Sequence, residues 1–288
     1  MSTLRTRLLL REMIELLLNE TPASDAFEQS VAKSINSQFK GTGITAVRPP
    51  ADTSLPDVLV TVKDVGNSFI EVKMSHTDNL ANPRVFYDGA QWATTYKTPV
   101  AKFAVELLNR STEAKQFIKD ISRSVKRRNV ILSTTRSGIK EPGVVSLQEM
   151  VDFVTSRGNR YILSEPDVNL GKLVTQHYTS GKTQAAHYLQ AHDDFYMIGT
   201  GDGLGLNAAN GGSIPVLGGT GEFKVRVSTR SAFYEIQVEL KIRKYKPSSS
   251  PYSVLKGTSK INPFTALAEL IEPEPPPERL IKRVKRKK

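Results

Sequence analysis

The chain has 288 residues, 39% of them hydrophobic and 24% charged, which is enough apolar content for the core of one large or two modest domains. Its 40 Lys and Arg against 29 Asp and Glu leave a net charge of +11, a balance that favours a polyanionic partner, nucleic acid first and acidic membrane second. No uncharged apolar run is long enough to span a bilayer, and the absence of cysteine excludes a disulfide framework and a thiolate zinc site and points to a cytoplasmic setting.

Along the chain, residues 3–20 predict an amphipathic helix, because Arg11, Glu12 and Glu15 interrupt an apolar run that would otherwise resemble a leader. A second helix is predicted over 25–39, where Phe27, Val31, Ile35 and Phe39 recur every four positions and Asp25 with Glu28 has the form of a capping box. Short strand patterns follow at 44–48, 57–62 and 68–74, the last two joined by the turn residues 64–67 as a hairpin. Residues 89–127 read as helical with a break at Pro99 capped by Thr98, 129–134 as a short buried strand, and 146–157 as a helix. A helical piece within 171–192, a strand at 194–199, a glycine-rich loop over 199–221 and two alternating strands at 222–230 and 232–245 complete a β-rich region. Residues 246–251 read as a linker. The basic tail 272–288 carries seven basic and three acidic residues.

The chemistry lies in Pro56-Asp57 and Glu71-Val72-Lys73. In a strand, side chains i and i+2 share a face, so Glu71 and Lys73 project together with Val72 opposite. If the two hairpin strands pair, Asp57 lies beside Glu71. Two neighbouring carboxylates suit Mg²⁺, and a lysine beside them can orient water and stabilise charge on a phosphate. Glu-x-Lys by itself is a weak signal, because it also occurs at Glu113/Lys115, Glu222/Lys224 and Glu239/Lys241. Only residues 56–73 add Pro-Asp, a hairpin-length gap and flanking helices. The glycines of 199–221 form no G-x-G-x-x-G fingerprint, and Ser180-Gly-Lys-Thr183 lacks the first glycine of a phosphate-binding loop. Trp92 reads as a core residue.

These residues and their spacing resemble the PD-(D/E)xK phosphodiesterase superfamily, which includes many restriction endonucleases. The resemblance implies an α/β fold with a restriction-endonuclease-like core, a mixed sheet flanked by helices. That gives a division into an N-terminal helix (1–21), the nuclease core (22–160), a β-rich substrate-binding or elaboration region (161–262) and a Pro-rich linker with basic tail (263–288). It further implies Asp57, Glu71 and the Val72 carbonyl as metal ligands and Lys73 as the water-activating residue. Glu28 would be an additional acid on the preceding helix. Mg²⁺ is the expected cofactor, with Mn²⁺ as a substitute, and DNA the expected partner of an endonuclease that can act as a homodimer and has no membrane role. His76, Arg84, Tyr87 and Gln91, next to this motif, and the basic run Lys126, Arg127 and Arg128 are candidates for nucleic-acid contact, although a solvated polar loop or face accounts for them too. A DNA-binding protein that keeps the fold without catalysis is the alternative.

Overall fold

The computed structural model describes residues 22–50, 55–76, 78–133, 142–180, 184–218, 220–229, 233–241 and 249–271. The helix expected over 3–20, the basic tail and the first half of the 246–251 linker lie outside these residues.

Chain order is α1 (Pro22–Gln38), β1 (Ile44–Val47), β2 (Val58–Val62), β3 (Gly66–Lys73), β4 (Asn79–Ala81), β5 (Arg84–Tyr87) and β6 (Trp92–Ala93). Next come α2 (Pro99–Arg110), α3 (Thr112–Ser124), α4 (Leu147–Arg157), β7 (Tyr161–Asn169), α5 (Leu170–Ser180), β8 (Ala186–Ala191) and β9 (Asp194–Met197). The described chain closes with α6 (Leu206–Ala209), β10 (Thr220–Thr229), β11 (Tyr234–Lys241) and α7 (Phe264–Leu270).

The fold is mixed α/β, with two sheets that interleave along the sequence. The first is a mixed five-stranded sheet in the order β1-β2-β3-β8-β9. Its first three strands form an antiparallel meander, while β8 runs parallel to β3. A parallel neighbour needs a crossover, and α5 immediately before β8 supplies its helix. The second sheet is antiparallel, in the order β6-β5-β11-β10-β7, with β4 also on β11.

Each face of the first sheet has its own core. On one face, Val31, Ile35 and Phe39 of α1 pack with Val58, Val60, Ile70 and Val72, as the four-residue spacing requires. On the other face, Phe69, Leu189 and Ala191 meet α2 to α5 and the apolar side of the second sheet, including Phe223, Val225 and Val238. Trp92 is buried in this second core. The edge strand β1 is closed by Asn36, whose side chain donates to the Ala46 carbonyl at 2.7 Å and accepts from the Ala46 N–H at 2.8 Å. It stands in for a neighbouring strand and blunts the open edge.

Several elements differ from the sequence expectation. Asp25 lies inside α1 rather than at its cap, because the helix is already formed at Pro22. Thr98 does cap α2, accepting from Ala101 N–H, but residues 92–93 are strand and Gln91 precedes them in a turn. Of the strand expected over 129–134, the described residues 129–133 contribute only isolated bridges, Ile131 to Val144 and Leu132 to Tyr87. The strand after the crossover is β8 instead, inside the span read as containing a helix. Its sequence, AHYLQA, hides the strand because His187 and Gln190 look solvent-facing. In the fold Gln190 is fully buried, its side chain accepting from Val254 N–H and donating to the His192 carbonyl. His187 is sandwiched by glycines: a Cβ on Gly201 would approach its ring to 2.7 Å, and one on Gly203 to 2.6 Å. Part of the glycine run therefore serves close packing against β8.

Candidate active site

The β2–β3 hairpin sets the geometry. Its register pairs Val58 with Ile70, so continuing it by one residue brings Asp57 opposite Glu71. Asp57 sits just before β2, and its Oδ2 accepts the Val72 N–H at 2.7 Å. Backbone N–H and C=O of one strand residue point the same way, so the Val72 carbonyl is on the Asp57 side of β3 as well. Glu71 and Lys73 share the face of Phe69, as strand alternation requires, and Lys73 Nζ donates to Glu71 Oε1 at 2.6 Å. The same ammonium lies 4.0 Å from Asp57 Oδ2.

This trio is largely shielded, with side-chain exposures of 3% for Glu71, 17% for Lys73 and 20% for Asp57. Burial alone lowers the Lys73 pKa. The Glu71 carboxylate beside it, with further help from Tyr178 and Asp57, more than offsets burial and holds the ammonium well above the ordinary lysine value. Lys73 is therefore a fixed cation at neutral pH.

A fourth group arrives from α5. The Tyr178 hydroxyl donates to the Leu80 carbonyl at 2.7 Å and lies 3.2 Å from Glu71 Oε1. Its pKa is raised, first by burial and then by the Glu71 charge, so it remains a neutral hydroxyl. Nothing local in the sequence marks Tyr178. Its role depends on the crossover that ends in β8.

The other candidates fall into separate environments. Glu28 is 6% exposed and paired with Arg48 Nε at 2.7 Å, while Arg48 also meets Asp25. Arg48 directly follows β1, whose Val47 pairs with Leu59, so this cluster is at the same end of the sheet as Asp57. His76 follows β3, and its Nε2 lies 2.8 Å from Asp194 Oδ2. Arg84 reaches Glu235 at 3.0 Å on the second sheet. Tyr87 packs edge-on against Trp92, and Gln91 binds Asp88 through its backbone. Arg127 donates to the Val144 carbonyl and pairs with Glu149, whereas Lys126 and Arg128 are exposed.

The two rival strand-borne triplets face each other. Lys224 pairs with Glu239 and Glu222 with Lys241 across β10–β11. Glu222 contacts Lys224 at 2.7 Å, and Glu239 contacts Arg226 at 2.5 Å and Lys241 at 3.6 Å. Complementary cross-strand charge accounts for both triplets without catalysis.

Among the described residues, no group of three or more His, Asp or Glu side chains gathers at metal-binding spacing. The donor chemistry at Asp57 and Glu71 still suits a hard divalent cation: two carboxylates with a backbone carbonyl directed to their side, and an ammonium between them that marks a cation-favouring position. Comparison with family models, curated proteins and solved structures gives no match to this chain.

Proposed function

We propose that the chain is a metal-dependent endonuclease that hydrolyses phosphodiester bonds in DNA, with Asp57, Glu71 and Lys73 as its centre. The observation that carries this reading is the convergence of the three side chains at one end of the β2–β3 hairpin, with Lys73 bridging the two acids. The order α1-β1-β2-β3, then α5-β8 with β8 parallel to β3, agrees with the α-β-β-β-α-β arrangement of a restriction-endonuclease-like core. On this reading the core comprises 22–73 and 170–197, and residues 74–169 are an insertion that builds much of the second sheet.

Asp57, Glu71 and the Val72 carbonyl would hold Mg²⁺ or Mn²⁺, which when bound polarises a phosphoryl oxygen. The chain's own groups do the rest. Val72 N–H fixes the Asp57 carboxylate. Tyr178 restrains Glu71. Lys73, beside both acids, would orient the attacking water and offset charge on the phosphate. The exposed Lys126 and Arg128 and the surplus of positive charge favour a phosphate backbone as partner. A homodimer would let two such sites cut both strands.

The second reading is a DNA-binding protein without catalysis. It is favoured by the partners that both acids already have, the Lys73 ammonium on Glu71 and the Val72 N–H on Asp57. Incubation with circular, linear and branched DNA separates the two. The nuclease reading expects cutting with Mg²⁺ or Mn²⁺ that EDTA abolishes. Salt-sensitive binding without cutting under any of these conditions would establish the rival.

A further inference from the structure

Helix α3 turns Ala114, Phe117 and Ile121 into the core, and all three are fully buried. At about 100° per residue, the opposite side of the helix carries Thr112, Lys115, Gln116, Lys119 and Arg123. Lys115, Lys119 and Arg123 stand at i, i+4 and i+8, so a cation follows about every 6 Å along the solvent side. All three are exposed. The two acids of the helix, Glu113 and Asp120, lie on one flank and are engaged locally. Glu113 accepts from the Ser111 hydroxyl at 2.7 Å, and Asp120 accepts from the Gln116 amide at 2.6 Å. Arg123 meets Asp120 only at 3.6 Å, and its side chain stays 76% exposed. Among the described residues, Lys115 and Lys119 have no ion-pair partner.

The end of the helix adds a fourth cation in an unfavourable backbone conformation. Arg127 N–H bonds to the Ser122 carbonyl at 3.0 Å and Lys126 N–H to the Arg123 carbonyl at 3.2 Å, the two bonds of a Schellman ending. Lys126 takes the left-handed position of that motif, with φ 54°. Glycine is the usual occupant, and α4 ends on Gly158 at φ 67°. A lysine there is disfavoured because its Cβ crowds the following carbonyl. Among the described residues, the other non-glycine positions with positive φ are Asp64 and His192, and aspartate and histidine are enriched in this region. An exposed lysine therefore stands where the backbone favours glycine.

We propose that the solvent face of α3, with Lys115, Lys119 and Arg123 along it and Lys126 at its end, binds the phosphate backbone of DNA without regard to sequence. It rests on DNA as the partner in the reading above, not on catalysis. From Lys115 to Arg123 the face runs about 12 Å, over which one strand of a duplex presents about three to four phosphates. Cations on such a face bind phosphates and release condensed counterions, which is the source of sequence-independent affinity. An acidic bilayer would attract the same charge, but a membrane-surface helix also inserts an apolar face, and the apolar side of α3 is committed to the core.

The test is titration of a short labelled duplex in EDTA, from about 50 to 200 mM salt. Wild type is compared with Lys126→Gly and with the triple variant Lys115→Gln, Lys119→Gln, Arg123→Gln. A control triple, Lys33→Gln, Lys40→Gln, Lys256→Gln, removes the same charge from exposed positions on and near α1. Glutamine matches lysine and arginine in helix propensity, so the α3 triple keeps its fold. It is expected to bind at least about tenfold more weakly at the lowest salt, and the slope of log K against log salt is expected to shrink by about 2–3. The control triple is expected to stay within about threefold of wild type. Lys126→Gly is expected to shrink the slope by about 1 while its Tm holds or rises, because glycine relieves the left-handed conformation. Wild type that binds no duplex, or a control triple that loses as much as the α3 triple, overturns the proposal. A Lys126→Gly chain with the wild-type slope removes Lys126 from the surface. Phosphatidylserine vesicles that bind wild type more tightly than the duplex, with the same loss in the α3 triple, overturn DNA in favour of a membrane surface. Mg²⁺-dependent cutting is scored on separate samples: α3-dependent binding without cutting removes the nuclease reading and upholds the α3 surface.

Discussion

Lys73 is the residue on which the local electrostatics turn. Glu71 is nearly sealed from solvent and its near partners are the Lys73 ammonium and the Tyr178 hydroxyl. Removing one partner of a shielded pair leaves a charge with inadequate compensation, so Lys73→Met is expected to cost about 3 kcal/mol, and Glu71→Gln in the same chain to recover much of it. Urea unfolding of the two variants checks this. The pH dependence has a definite sign. The folded value of Lys73 lies above its unfolded value of about 10.4, so its stabilisation is fully present below that pH and is lost as pH rises through the folded value. The stability gap between wild type and Lys73→Met is therefore expected to be constant up to about pH 10 and to narrow above it. A gap that narrows on acidification through neutral pH instead would mean that Glu71, not Lys73, governs the pair. Tyr178→Phe leaves the Leu80 carbonyl short of its donor and is expected to cost about 1–3 kcal/mol.

At the scale of elements, the hairpin was legible and the crossover was not. Val58, Val60 and Val62 alternate, a turn follows, and the next apolar run carries the acid and the lysine; strand periodicity fixes which side chains share a face. The α1 stripe and the Thr98 cap were equally local signals. The parallel strand escapes the pattern because 129–134 looks like the strand for that place, although Ile131 and Leu132 form only isolated bridges. The strand itself, 186–191, falls in a span that reads as containing a helix, and its polar residues find most of their partners far away in sequence, Ser253 and Val254 for Gln190 and Ser68 for His187. Pairing likewise explains the rival Glu-x-Lys triplets, which no pattern along one strand could reveal. On β10–β11, Arg226→Met removes the close partner of Glu239, which is 4% exposed, and is expected to cost about 3 kcal/mol. Lys241→Met, losing a 3.6 Å contact, is expected to cost under about 1 kcal/mol. Equal losses in thermal or urea unfolding would contradict the ladder as described.

For the whole molecule, composition indicated the kind of partner but not the surface. Two stretches hold most of the net charge of +11, residues 110–128 with +5 and residues 272–288 with +4, and part of the first is used internally: Arg127 ties α4 to the end of α3 through Glu149 and Val144. Lys126 and Arg128 remain exposed beside it. Their joint reversal to Glu is expected to weaken DNA binding about tenfold and to flatten its salt dependence, read by titration at several salt concentrations; unchanged binding would move the interface elsewhere. The two sheets interleave, so the end of the first sheet collects groups from distant stretches: Asp57, Glu71 and Lys73 from the hairpin, Tyr178 from the crossover, Asp194 from β9 and Lys260 from the C-terminal segment. Motif spacing could find the first three. The rest depend on chain reversals that one-dimensional patterns do not encode. The central claim, that this sheet end is a hydrolytic site, is tested most directly by Mg²⁺-dependent cleavage of plasmid DNA by wild type, Asp57→Ala, Lys73→Ala and the control Lys241→Met, each first shown to be folded. Cutting by wild type and Lys241→Met, with at least a hundredfold loss in Asp57→Ala and Lys73→Ala, is the expected result; equal cutting by all four, or by none, would contradict it.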